Sequence, residues 1–129
     1  MNNKNMARIA LKLFAIVIAI FGIYHFMDPD NLAIQVPSFL PGGSIWVYVV
    51  GAALILAAIA FFINQQIRLA GYLLSLMLII FALAIHLRGY FELGDKEMQS
   101  VSFMNMLKDL GLAFCVLYIA STADREIAE

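Results

Sequence analysis

A single cysteine, Cys115, excludes an intrachain disulfide and a Cys-x-x-Cys dithiol, and it leaves the redox compartment unread. Charged residues make up 13% of the chain, against roughly 25% in an ordinary soluble domain. No basic stripe accompanies the net charge of −1, so nucleic acid is not an expected partner. There is no glycine-rich phosphate loop, no nucleophile elbow and no HExxH helix, hence no complete catalytic constellation. The three prolines, Pro29, Pro37 and Pro41, all fall between apolar runs and break none of them.

What is abundant is apolar surface. Hydrophobic residues are 64% of the 129, against a usual 45–50% or so. A globule this small keeps much of its surface exposed and could not hide that share in water. The expected solvent is therefore partly lipid. Four runs, residues 7–27, 44–63, 67–87 and 103–121, reach about the 20 residues that a helix needs to cross the hydrocarbon core. In lipid every backbone polar group must be paired internally, so these spans are expected to be helices. The runs are continuous, without the period-two alternation of a β-barrel. The fourth is the weakest, with Asn105, Lys108 and Asp109 in its first turns. The first has a basic start (Lys4, Arg8, Lys12), as a signal peptide does. Its apolar stretch is long, however, and no small-x-small site follows, so it is expected to be a retained span.

The expected architecture is an all-α membrane protein, a single domain over residues 1–129, built as an antiparallel bundle of four transmembrane helices. Asp28-Pro29 ends the first helix, because proline lacks an N–H and restricts the residue before it. Residues 28–43 form an interfacial loop. Its apolar middle, residues 32–36, lies along the membrane surface or dips back against the bundle. Asn64-Gln65-Gln66 reads as a tight turn between antiparallel neighbours, residues 88–102 as a charged loop and residues 124–129 as a polar tail. Lys4, Arg8, Lys12, Arg68 and Arg125 lie on one side, Arg88, Lys96 and Lys108 on the other, which sets both termini in the cytoplasm. Trp46, Tyr48, Tyr24 and Tyr90 fit an aromatic belt on the outer side. Small residues at four-residue spacing mark expected helix contacts: Ala15, Ala19 and Gly22; Ala53 and Ala57; Gly71 and Ser75; Gly111 and Cys115. Cys115 is expected to be a buried, inert packing residue.

Gly22-Ile23-Tyr24-His25-Phe26, then Pro29, Val36-Pro37 and Phe39-Leu40-Pro41, resembles the first helix and loop of the DoxX-like membrane proteins. Tyr48-Val49-Val50-Gly51, Arg68-Leu69-Ala70-Gly71 and the run Asn105 to Gly111 resemble the starts of their second, third and fourth helices. Many relatives carry an acid shortly after the second-helix glycine. Ala52-Ala53-Leu54 stands there instead. The resemblance implies a small four-helix protein beside redox machinery. The family takes its name from a quinone-linked oxidoreductase subunit, and some distant relatives are assembly helpers.

Placed by depth, His25, His86, Asn105, Lys108 and Asp109 all fall in the outer half of the bundle, with Asp28 and Arg88 just above. Ionisable groups at membrane depth are costly and face the bundle interior or water. They form a candidate ligand site, for instance for a quinone head group, in which a histidine donates to a carbonyl oxygen or relays a proton. The bland alternatives are an interhelix network that pins three helices together, and a Lys108 that merely snorkels. Two histidines and one carboxylate suit a metal in ligand type only, so no metal is assigned. The expected role is an accessory or assembly component of a redox or envelope complex in the inner (plasma) membrane, rather than a stand-alone enzyme. Its partners would be the lipid bilayer and another membrane protein or a second copy. The alternatives are a quinone-binding oxidoreductase subunit and, more remotely, a small-solute transporter. Against the transporter stands the lack of an internal repeat or a broken span.

Overall fold

The computed structural model describes residues 2–127, with side chains described through residue 123. Helix α1 (Asn3–Met27) is capped by the Asn2 side chain, which accepts from the Lys4 N–H at 3.2 Å. It stops at Asp28, before the proline that opens the short α2 (Pro29–Ala33). Helix α3 (Ser44–Phe62) ends in a left-handed cap. Asn64 has φ of 59°, the Gln65 N–H reaches back to the Ala60 carbonyl at 2.9 Å, and the Asn64 N–H reaches Phe61 at 3.3 Å. These two bonds satisfy carbonyls that the helix end would otherwise orphan, the Schellman arrangement. Gln66, also left-handed, starts α4 (Ile67–Phe81). The same helix runs on through a π segment (Ala82–Leu87) into α5 (Arg88–Glu92), and α6 (Lys96–Ile127) completes the chain. No strand occurs among the described residues.

Four of these rods are long and apolar enough to cross a membrane: Asn3–Met27, Ser44–Phe62, Ile67–Glu92 and Lys96–Ala123. They pack mainly as two pairs, α1 on α3 and α4 on α6, with α3 against α4 joining the pairs. One apolar core runs through all four, from Ala15 and Ile18 through Leu54, Ala58 and Phe61 to Leu74, Leu78, Ala113 and Val116. The outward faces are also apolar. Leu13, Ile20, Leu56, Leu73, Ile80 and Phe114 are each about half exposed or more. A soluble helix would present polar residues there.

Two of the expected loops are helical. The charged segment 88–102 contains α5 and the first turns of α6, and only residues 93–95 interrupt the helix. Asp95 caps α6, its carboxylate accepting from the Glu97 N–H at 3.2 Å, and Glu97 complements the positive helix end. At the far end α6 continues through Ile127, where a tail was expected. The side chain of Arg125 lies outside the described residues. Of the interfacial loop, α2 packs back on α3, while Ile34 stays exposed.

The small-residue pattern holds on two helices and slips on two. Ala15 and Gly22 are buried, as are Gly71 and Ser75, and the Ser75 hydroxyl donates to the Ala113 carbonyl at 2.9 Å. On α3 the buried small residues are Gly51, Ala57 and Ala58, while Ala53 faces out. On α6 both Gly111 and Cys115 face out. Ser102, Ala113, Val116, Ala120 and Ala123 are buried instead, so the small-residue spacing of Gly111 and Cys115 marks an outward face. Cys115 is exposed, contrary to the packing role expected of it. Cys115→Ala is accordingly expected to shift the unfolding free energy by less than about 0.5 kcal/mol in a detergent denaturation series. A buried, close-packed thiol would cost more.

Candidate functional site

The polar site grows from an irregularity in the third long helix. At Ala82–Leu87 the backbone adopts π geometry, a wide turn that is often found at functional positions. His86 sits in that turn and meets α6. Its Nε2 lies 3.1 Å from Asp109 Oδ2, with the two side chains 14% and 19% exposed. The His86 carbonyl accepts from the Ser102 hydroxyl at 3.0 Å. Ser102 and Asp109 are seven residues apart on α6, two turns along one face, and Ala113 and Val116 continue that face into the core. Gly89 permits the approach, since a Cβ there would sit 2.6 Å from the Ser102 Oγ. Ser102 and Gly89 were missed from the sequence, although Ser102-x₆-Asp109-x₃-Ala113 is a heptad-like signal that could have found the first.

Of the five candidate residues, the fold brings two together. His86 and Asp109 form the pair. His25 bonds within its own helix, Nδ1 lying 2.7 Å from the Phe21 carbonyl, and its Cβ packs toward Gly51 on α3. Asn105 is half-buried and Lys108 exposed. Among the described residues no hydrogen bond or ion pair joins these three to the pair. Convergence of three helices on one site is thus reduced to two, because α1 pairs with α3 rather than with α6. Helix α6 also starts earlier than expected, at Lys96, so Lys108 and Asp109 lie about 18–20 Å along it.

Above the pair, the end of the molecule is tied down by polar and aromatic contacts. Asp28 accepts from the Asn31 amide at 2.9 and 3.0 Å. The Trp46 indole N–H donates to the Pro41 carbonyl at 2.8 Å. Arg88 donates to Glu92 at 2.8 Å, and its guanidinium lies 5.7 Å from the Phe39 ring centre, linking the 28–43 loop to α5. The Gln99 amide donates to the Leu93 carbonyl, closing the 93–95 turn. Phe26 with Tyr48, and Tyr90 with Phe103, meet as tilted ring pairs across neighbouring segments, their centres 5.7 Å apart.

Chemically, an imidazole that donates through Nε2 to a carboxylate is fixed in orientation and accepts through Nδ1 when neutral. That suits either a pin between the π segment and α6 or a donor–acceptor for a small ligand. No group of three or more histidine, cysteine or acidic side chains is gathered as a metal site among the described residues. Two clefts of about 220 and 300 Å³ lie elsewhere, along α1 and α3, and neither is lined by His86 or Asp109.

Fold and site together define an all-helical chain with four helices fit to cross a membrane and a histidine–aspartate pair clasping the second helix pair. The chain belongs to the family described as domain of unknown function DUF8561, whose model matches residues 13–120. No curated protein and no solved structure matches it.

Proposed function

We propose that this is a multi-pass, DoxX-like protein of the inner (plasma) membrane, with both termini cytoplasmic. Its proposed role is that of an accessory or assembly component of a redox or envelope complex. The observation that carries the reading is the contrast between its surfaces. Ala15, Gly22, Gly71 and Ala120 bring the helices into close contact, while large apolar residues such as Leu13, Leu56, Leu73 and Phe114 face outward on all four rods. Such faces suit lipid or another membrane protein. The polar residues at the loop end are engaged in holding the chain's own segments together, as expected of a scaffold.

Gentle detergent extraction of the full chain from its native membrane tests this. It is expected to yield a stable complex well above the 14.3 kDa of the chain plus its micelle, containing a second membrane protein or further copies. His25→Ala is expected to leave that complex intact, because His25 bonds only its own helix. Recovery of monomer alone contradicts the proposal.

The His86–Asp109 pair favours a second reading, a quinone-binding oxidoreductase subunit. On that reading quinone co-purifies, and His86→Ala or Asp109→Asn lowers its occupancy at least several-fold by solvent extraction. Unchanged occupancy in both variants removes it.

A further inference from the structure

The end of the molecule opposite the histidine–aspartate pair holds a different arrangement. Lys4, Arg8 and Lys12 follow one another at four-residue intervals along α1, a spacing that keeps them near one face. All three are exposed, and the first turn of α1 contains no acidic residue. Only Lys4 stands in that first turn, where a cation opposes the macrodipole, whereas Arg8 and Lys12 lie one and two turns further on. No described carboxylate pairs with Arg8 or Lys12.

Arg8 and Lys12 line a cleft of about 300 Å³ whose other wall is the C-terminal end of α3, with Phe61, Phe62, Ile63 and Asn64. The Lys12 ammonium lies 5.5 Å from the centre of the Phe62 ring, drawn over an aromatic face. From the same Phe62 and Ile63 a second groove of about 220 Å³ continues along the helix pair toward the middle of the bundle, lined by Ala15 and Ala19 of α1 and by Ile55 and Ile59 of α3. A basic, partly polar head and an open apolar groove therefore share two residues.

We propose that this composite is a binding site for an anionic glycerophospholipid, its phosphate between Arg8 and Lys12 and one acyl chain in the Ala15–Ile59 groove. Basic pockets between membrane helices at the cytoplasmic face suit such head groups. The inference rests on the membrane reading above, and its test separates the two. In alkali-washed membranes the full chain is expected in the pellet. Its release into the supernatant would overturn the membrane reading itself.

The purified full chain, in micelles doped equally with phosphatidylglycerol and phosphatidylcholine of identical acyl chains, is then assayed for bound lipid by native mass spectrometry. Phosphatidylglycerol is expected to be retained at least about tenfold over phosphatidylcholine, since each surface cation adds severalfold to anionic-lipid affinity. The double variant Arg8→Gln/Lys12→Gln is expected to lose that preference, whereas Lys4→Gln, outside the cleft, keeps most of it. Millimolar glycerol phosphate, a head group without chains, is expected to displace little lipid. Equal retention of the two lipids by the unaltered chain, a need for Lys4 as great as for Arg8 and Lys12, or displacement by glycerol phosphate each overturns the lipid site.

Discussion

Gly71→Leu is expected to destabilise the bundle more than any other single exchange discussed for this chain. A Cβ at Gly71 would stand 2.7 Å from the Ala120 Cβ and 3.4 Å from the Val116 carbonyl oxygen. Neither neighbour has rotamers with which to move aside, so α4 and α6 must separate. Overpacking of this kind costs about 1–3 kcal/mol in a well-packed core. A leucine, with three further carbons to place, belongs at the top of that range. The loss should appear as a lowered midpoint in thermal or denaturant unfolding, followed by circular dichroism in mild detergent. Gly111→Leu is the internal control. Nothing lies within 4 Å of a Cβ there, so the exchange only gains helix propensity, up to about 1 kcal/mol. Equal destabilisation at the two positions would mean that α4 and α6 do not meet on the Gly71–Ala120 face.

The second large effect is expected at the histidine–aspartate pair. Asp109→Ala removes the acceptor for His86 Nε2 and leaves a mostly buried imidazole unpartnered, at a cost of about 1–3 kcal/mol. A double-mutant cycle with His86→Ala separates the pair from the rest of each side chain. Its coupling energy is expected to be about 0.6–1.7 kcal/mol, from the average to the maximum found by such cycles for hydrogen bonds between membrane helices. A coupling near zero would show that the two side chains do not interact. A large coupling with unaltered quinone content would leave the pair as a pin, holding the π segment to α6.

Much of the fold was legible because continuous apolar length is a blunt and strong signal. The four rods and the polar interruption at Asn64-Gln65-Gln66 followed from it directly, and the break at Asp28-Pro29 followed from proline's missing N–H. Where the sequence misled, short-range chemistry was at work. Asp95-Lys96-Glu97 looks like a charged loop by composition, yet it is a helix start, with a carboxylate capping the N–H two residues on. Which face of α6 is buried was misjudged because small residues occur on two faces of that helix. Gly111 and Cys115 fit the spacing as well as Ala113, Val116 and Ala120 do. Of the site, the joining of His86 to Asp109 was readable from depth. The failure of His25 to join them was not, because depth fixes height in the bundle but not which helices are neighbours. The π turn at Ala82–Leu87 has no signature in an all-apolar run with one histidine.

Lipid is expected to surround the four rods, and the accessibility of single cysteines in intact cells measures whether it does. In a Cys115→Ala background, Ser38→Cys and Gly94→Cys lie at the end where α1 stops and α6 starts, whereas Asn2→Cys and Gln65→Cys lie at the other. With a membrane-impermeant maleimide, the first two are expected to label in intact cells and the last two only after the membrane is opened. Labelling of all four to the same extent before opening would contradict four crossings of a bilayer.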